Sequence, residues 1–247
     1  EGCRAIGFTT GVPGLSMLGV VEGLLVDRAF IAERRDHAAE LASIHDLGKI
    51  APRHTVANAL AAAALARAYG IEPVAVREGL RNYLPGDHRI QPVATLGGVD
   101  WVNDSKATNP HAASASLAAF GSVVWIAGGL SKGVTYDELV ASNASRLKAV
   151  VLIGVDSSEL AAALARHAPN VPVIPVEPGE TGGERSNGAS IMEEAVARAD
   201  GAAASGDTVL MAPAAASMDQ FASYAQRGEA FIDAVRRLVE RSAQSKE

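Results

Sequence analysis

Cysteine is almost absent from this sequence: Cys3 is the only one among 247 residues. A disulfide within the chain is therefore excluded, and the composition fits a reducing cytosol. One thiol also cannot hold a zinc ion by itself. Aromatic residues make up only 4% of the chain, so a core has to be built from Ala, Val, Leu and Ile, which the 48% hydrophobic content supplies. Positive charge is in deficit. There are 22 Lys and Arg against 28 Asp and Glu, a net charge of −6 and a pI of about 5.6. With no long basic run, that balance argues against a nucleic-acid surface. Long apolar runs are missing as well. Ala59–Ala66 is short and is followed by Arg67, and Val12–Val26 is interrupted by Pro13, glycines and Glu22. Neither reaches the roughly 18–20 uninterrupted residues of a membrane span. His37, His45, His54, His111 and His167 show no metal-ligand spacing and read as structural or solvated.

Two glycine-rich signatures are also missing. There is no Gly-x-x-x-x-Gly-Lys-Ser/Thr phosphate loop: Lys49 follows Gly48, but no glycine-rich loop precedes it and no Ser or Thr follows. No strand-like run is followed by Gly-x-Gly-x-x-Gly, which counts against a dinucleotide-binding domain. The chain opens at Glu1 with no signal-like segment. It is expected to be the carboxyl-terminal part of a longer protein, or a chain numbered from an internal position.

What is present is organised in two parts. Residues 1–50 are irregular, with short strands expected at Val20–Val26 and Ala29–Ile31, while His37–Ala42 is ambiguous. Asp46–Arg53 is a turn-rich approach to a helix over Thr55–Tyr69, with Thr55 as cap, Gly70 as stop and a near-continuous apolar run that implies a buried helix or close helix packing. Pro73–Tyr83 reads as a second helix opened by its proline. Leu84-Pro85-Gly86-Asp87 then breaks the pattern, and a domain boundary is placed there, separating residues 1–86 from 87–247.

From Val93 onward strands and helices alternate. Val93–Leu96 and Val99–Val102 are joined across Gly97-Gly98 as a hairpin. Strands are expected at Val123–Ala127, Ala149–Ile153 and Thr208–Met211, and at Val171–Val176 only as a sheet edge, because of Pro172 and Pro175. Helices are expected at Thr135–Ala141, with Thr135 and Glu138 in capping-box spacing, at Ser157–His167, at Ser190 to about Ala199 behind a second capping box, and at Met218–Ser242. Glu177–Ala189 is a glycine-rich polar loop. The alternation predicts an α/β domain with a mainly parallel sheet.

The most informative stretch is Trp101-Val102-Asn103-Asp104-Ser105-Lys106-Ala107-Thr108-Asn109-Pro110. An apolar strand stops at small polar and charged residues, and a proline then opens an Ala/Ser-rich helix. Turns at the carboxyl ends of parallel strands are where α/β folds bind ligands, and the amides at a helix start add a place for negative charge. A polar surface turn is the competing reading. Lys132 follows Gly128-Gly129 in a second such loop, and Ser217 lies in a small-residue loop after Thr208–Met211. Each falls just after a strand, so Lys132, Ser217 and Thr108 are predicted to meet in one pocket.

Four segments in this order resemble the Mur ligases of peptidoglycan synthesis, most closely the branch that adds D-glutamate. They are His88-Arg89, Asn103–Asn109, Gly128–Gly133 and Ala212–Phe221. The resemblance spans nearly the whole chain, firmly from about Asn58. It implies an α/β fold in which the end of a central Mur-ligase ATPase domain (1–86) precedes a Rossmann-like amino-acid-binding domain (87–247). The implied reaction joins D-glutamate to UDP-N-acetylmuramoyl-L-alanine with ATP and Mg2+, through an acyl phosphate, in the cytoplasm. The phosphate loop, the magnesium-binding acid and a modified lysine lie upstream in the family, so this segment alone is expected not to catalyse.

The same resemblance distributes roles. Asn58 would contact adenine, Arg89 the nucleotide phosphates or ribose, and Asp104 the region of the ribose hydroxyls. Lys106 takes the catalytic role, with Thr108, Lys132 and Ser217 holding the amino acid together with main-chain amides around Met218 and Tyr224. Ala215 stands where the family usually has Cys, and Tyr224 where it has Phe. A thiol is therefore not needed, and an aromatic-specific role at Tyr224 is open. Asn58 as a residue bonding its own helix start, Arg89 as a solvated linker residue, the Gly128–Gly133 segment of Lys132 as an ordinary turn and Ser217 as a helix cap remain competing readings. With these roles in both domains, the last domain is expected to close onto the first when ligands bind. The rival from another class is a non-catalytic α/β module that binds a nucleotide or other ligand.

Overall fold

The computed structural model describes residues 3–48, 50–131, 133–176 and 188–244. The chain forms two compact units, Glu1–Leu84 and Pro85–Glu247.

In the first unit, β1 (Gly7–Phe8), β2 (Met17–Val21), β3 (Leu24–Asp27) and β4 (Ala39–Ser43) make one sheet in that order. β1 and β2 are parallel and the remaining pairs antiparallel. The expected strand Val20–Val26 is thus two strands, because Glu22 and Gly23 take positive φ and turn the chain. Ala29–Ile31 is not a strand. The Asp27 carboxylate accepts the amides of Ala29 (2.7 Å) and Phe30 (2.9 Å), which curls the chain into a side-chain-held turn. The same buried carboxylate pairs with Arg67 at 2.9 Å.

α1 (Arg53–Ala68) begins two residues before Thr55, since the amides of Thr55 and Val56 both donate to Pro52 O; Thr55 is therefore not its cap. α1 buries only one side, through Val56, Ala59, Leu60 and Ala63, while Leu65 is 75% exposed, so its apolar run serves close packing through one face rather than a helix buried throughout. α2 (Pro73–Asn82) carries its proline in the first turn. Leu18, Leu25, Leu41, Leu60 and Val76 form the core of this unit.

The second unit opens with a hairpin, β5 (Gln91–Leu96) and β6 (Val99–Asn103). It continues through α3 (Pro110–Leu117), β7 (Val123–Gly128), α4 (Asp137–Asn143), β8 (Leu147–Ile153), α5 (Ser158–His167), β9 (Val173–Pro175), α6 (Gly188–Ala202), β10 (Thr208–Met211) and α7 (Tyr224–Gln244). The sheet order is β5-β6-β10-β7-β8-β9, parallel apart from the β5–β6 pair, with the proline-bearing β9 at an edge. β10 is last in sequence yet sits between β6 and β7. Crossovers from β6 through to β9 run one way along the sheet, and the return to β10 runs the other. Right-handed crossovers therefore place α3, α4 and α5 on one face and α6 on the opposite face. There α6 and α7 cover Trp101, Ile126, Val151, Val209 and Met211.

In the second unit three further helix starts depart from the sequence reading. α4 starts at Asp137, because Val140 N–H donates to the carbonyl of the buried Tyr136; Thr135 does not cap it. α6 starts at Gly188, so Ser190 is already inside it and its capping box does not open the helix; residues 177–187 of the expected loop lie outside the described residues. α7 starts at Tyr224 rather than Met218. The Ser223 hydroxyl accepts Gln226 N–H at 3.1 Å and the Ser223 carbonyl accepts Arg227 N–H, which makes Ser223 the cap.

At the amino-terminal ends of the strands, Asp207 is 7% exposed and joins Lys148, the Ser122 hydroxyl (2.6 Å) and Ala204 N–H (2.7 Å). Burial pushes its carboxyl up, but the Lys148 ammonium and the two hydrogen bonds outweigh burial and hold it below its ordinary value. A depressed carboxylate contributes stability that is present above the unfolded pKa, near 3.8, and lost as pH falls through the folded one. Asp207→Asn is expected to lower stability at pH 7 and to flatten the loss below about pH 4, as read from urea midpoints across pH. An unchanged acid limb would refute this assignment.

Candidate functional site

The carboxyl ends of β6, β10, β7 and β8 are tied to one another by their loops. After β6, Asn103 uses its side-chain oxygen to accept Ser105 N–H (3.1 Å), which turns the chain sharply. Asn109 ends the turn as the cap of α3, accepting Ala112 N–H at 2.9 Å, with Pro110 in the first helical turn. Between them stand the charged residues. Asp104 is buried, with one carboxylate oxygen accepting Ile90 N–H (3.3 Å) and the other taking the Ser116 hydroxyl. Lys106 is half-buried. Its ammonium nitrogen lies 3.8 Å from the centre of the Tyr224 ring, at the start of α7, and its amide donates to His88 O. A cation over an aromatic face is held in place without being neutralised. Among the described residues no carboxylate forms an ion pair with it.

The loop after β10 joins this turn directly. Ala214 N–H donates to Ala107 O at 2.9 Å, beside Thr108. Two residues further, Ala216 and Leu130 exchange both backbone hydrogen bonds (2.9 and 3.1 Å), which seats the loop after β7 against the residue before Ser217. Gly129 is obligatory there: its φ is 127° and a Cβ would lie 2.3 Å from Ala216 O. Lys132 itself lies outside the described residues.

Arg227, three residues into α7, holds the junction together. It is 1% exposed and donates to Ser105 Oγ (3.1 Å), Ser105 O (3.0 Å) and Ala215 O (3.2 Å). Burial pulls its pKa down to about 10, while Asp219 nearby pushes the other way, so the guanidinium stays charged at neutral pH. The Ser105 hydroxyl donates in turn to Tyr224 O at 2.6 Å. His88 braces the other side. It is 4% exposed at φ 61°, accepts Asn103 Nδ2–H on Nδ1 (2.9 Å), and faces Glu229 through Nε2 at 3.5 Å.

The structure thus gathers the loops of Lys106, Thr108, Ser217 and Tyr224 at one end of the sheet. Ser217 is buried, but it is not at a helix start as expected. It opens a separate turn, its carbonyl accepting the amides of Gln220 and Phe221, six residues before Ser223. Met218 is 66% exposed. Arg89 is an exposed residue of the second unit, and Asn58 is exposed on α1 of the first. Among the described residues, no three His, Cys, Asp or Glu side chains group to hold a metal ion. Also among the described residues, no helix is long and apolar enough to cross a membrane. Arg227 and His88 went unassigned in the sequence. The signal for Arg227 was its place four residues before Phe231, on the stripe of α7 that is otherwise apolar and buried.

A mainly parallel sheet whose carboxyl-end loops bring together the half-buried Lys106, hydroxyls and backbone amides defines an α/β domain with a polar loop cluster at one end of its sheet. The chain belongs to the Mur ligase family: the family model described as "Mur ligase, glutamate ligase domain" matches residues 88–215. It is similar to the UDP-N-acetylmuramoylalanine–D-glutamate ligase of Streptomyces avermitilis, 58% identical over 238 residues, covering 96% of this chain and 49% of that protein. The enzyme of the same name from Mycolicibacterium smegmatis is 46% identical over 256 residues, covering 95% and 51%. The chain therefore spans about half the length of the curated relatives it matches. Among solved structures, UDP-N-acetylmuramate-alanine ligase from Thermotoga maritima has a TM-score of 0.55 at 16% identity, covering 93% of this chain and 48% of that one. A pseudomurein peptide ligase type C from Methanothermus fervidus has a TM-score of 0.57 at 19% identity, covering 91% and 41%. These two likenesses bear on the fold alone.

Proposed function

We propose that this chain is the amino-acid-binding part of an ATP-dependent ligase that joins D-glutamate to UDP-N-acetylmuramoyl-L-alanine during peptidoglycan synthesis in the cytoplasm. The observation that carries this reading is the Lys106 ammonium on the Tyr224 ring, in a turn bonded to the Ser217 loop. D-glutamate brings two carboxylates and one amine, and a pocket for it needs fixed cations and donors. Residues 1–86 are assigned to the end of the ATP-binding domain, with Asn58 toward adenine, and Arg89 and Asp104 toward the phosphates and ribose. Magnesium, which neutralises phosphate charge in such reactions, is assigned to residues outside this segment.

ATP supplies the γ-phosphoryl group that turns the substrate carboxylate into an acyl phosphate. The D-glutamate amine then attacks the acyl carbon, inorganic phosphate leaves, and the amine gives up a proton as the amide forms. Lys106 is assigned to stabilise the negative charge that develops on the oxygens of the tetrahedral intermediate. Thr108, Lys132, Ser217 and the amides of Met218 and Tyr224 hold the carboxylates of D-glutamate.

The test uses the full-length protein containing this chain, with ADP release measured against D-glutamate, L-glutamate and D-aspartate in the presence of UDP-N-acetylmuramoyl-L-alanine and Mg2+. Release dependent on D-glutamate is expected, and its absence would overturn the reading. In the same assay Lys132→Ala should raise the KM for D-glutamate about thirtyfold, the lower end of the cost of removing one partner of a buried charge pair, with the KM for ATP little changed. An unchanged KM for D-glutamate would remove Lys132 from the pocket.

A further inference from the structure

Asp219 and Gln220 follow Ser217 in a turn that touches a fourth loop, one that the proposed function leaves without a part. The Asp219 carboxylate accepts Val155 N–H at 3.0 Å, and the Gln220 side-chain oxygen accepts Gly154 N–H at 2.9 Å. Two successive side chains thus catch two successive amides at the carboxyl end of β8. The turn that carries them is fixed at both ends. Its start is bonded through the Ser217 carbonyl. At its end the buried Phe221 ring packs on Gly188, where a Cβ would lie 2.6 Å from a ring carbon.

The captured loop bears on the loop after β7. A Cβ on Gly154 would lie 2.6 Å from Gly129 N, so the loops after β7 and β8 touch with no room for a side chain between them. Gly129 precedes Leu130, and Leu130 pairs with Ala216 next to Ser217. The contacts close a ring: the Ser217 turn holds Gly154 and Val155, these bear on Gly129, and the Gly129 strand end returns to Ser217. Asp219 Oδ1 and Gln220 Nε2 are buried without a hydrogen-bond partner among the described residues.

We propose that Asp219 and Gln220 are positioning residues that set the amino-acid pocket, clamping the loop after β8 so that the loop after β7 is held at a fixed distance from Ser217. The proposal rests on the D-glutamate reading above. Neither residue touches substrate; both act through main-chain amides, to which each offers an acceptor oxygen.

The experiment compares Asp219→Ala and Gln220→Ala with Asp219→Asn and Gln220→Glu in the full-length protein. Each alanine variant should raise the KM for D-glutamate about fivefold to tenfold, the weight of one ordinary hydrogen bond, and leave the KM values for ATP and UDP-N-acetylmuramoyl-L-alanine within about twofold. The Asn and Glu variants retain the acceptor and should restore the KM. Amide hydrogen exchange at Gly154 and Val155 should quicken in the alanine variants only. Should Asp219→Ala fail to fold, Gln220→Leu, similar in size and without an acceptor, replaces it. Equal rises in all three KM values, unchanged exchange, or failure of the conservative variants to rescue would each overturn the clamp. If the wild-type protein does not use D-glutamate, the functional reading fails by itself, and the exchange arm still decides whether the clamp exists.

Discussion

Replacing Lys106 by alanine in the full-length protein containing this chain is expected to lower the kcat of the proposed reaction by about 10²–10³, the usual loss when one preorganised group that meets developing charge is removed. The local chemistry gives the reason. The Lys106 ammonium lies 3.8 Å from the Tyr224 ring centre, and its backbone is fixed by the bond from its amide to His88 O. Part of its hydration is already replaced by an aromatic face, so little reorganisation remains when an anion arrives. Lys106→Arg keeps the charge but puts a planar, bulkier group over the ring, and should recover only part of the rate. Tyr224→Phe keeps the ring, and since the contacts of Tyr224 to Ser105 and Lys106 use its carbonyl and ring face rather than its hydroxyl, kcat should change little. Steady-state assay with all substrates saturating separates these outcomes. A Lys106→Ala enzyme within about threefold of wild type would remove Lys106 from the reacting centre.

The parts of this fold that were legible in the sequence are those set by periodic burial. β7, β8 and β10 are buried on both faces and appear as short apolar runs bounded by polar residues. The hairpin of β5 and β6 shows itself by Gly97-Gly98. Because strand ends were readable, so was the placement of Lys106, Thr108 and Ser217 in loops that follow strands. Helix starts opened by a proline were legible, at Pro73 and Pro110, but those inferred from a capping side chain were not, since a cap is decided by which carbonyl the first amides reach. Thr55 and Ser190 have the right chemistry, yet Pro52 O takes the amides of α1 and the start of α6 falls at Gly188. The order of the strands also escaped the sequence. Insertion of β10 between β6 and β7 depends on the reversed crossover through α6, and it is this insertion that sets Ala214 against Ala107 and Ala216 against Leu130. The buried polar residues behind the site were the least readable. His88 resembles any linker histidine until Gly228, where a Cβ would lie 2.2 Å from its ring, shows the slot that it fills.

Arg227→Ala should destabilise the second unit by about 3–5 kcal/mol, the range found when one member of a buried charged network is deleted. Three acceptors lose their donor at once: Ser105 O, Ser105 Oγ and Ala215 O. Those two residues lie in different loops, and nothing else on α7 replaces the link between them. A cavity the size of an arginine side chain adds to the loss. Burial opposes the native arrangement, as the fall of the Arg227 pKa to about 10 records, so part of the gain from these bonds is already spent on desolvation. Arg227→Met, which restores volume and removes the buried charge, should therefore recover about 1–2 kcal/mol while leaving the carbonyls unpaired. Arg227→Lys keeps a charge, but one ammonium cannot span both loops. It should fold more stably than the alanine variant and still raise the KM for D-glutamate, because Ser105 is joined to Tyr224 and hence to the seat of Lys106. Urea unfolding of each variant, followed by the fluorescence of the buried Trp101 and Trp125, gives the stabilities. A loss below about 1 kcal/mol for Arg227→Ala would mean that the loops hold their positions without it, and that the positive charge beneath the pocket has no structural role.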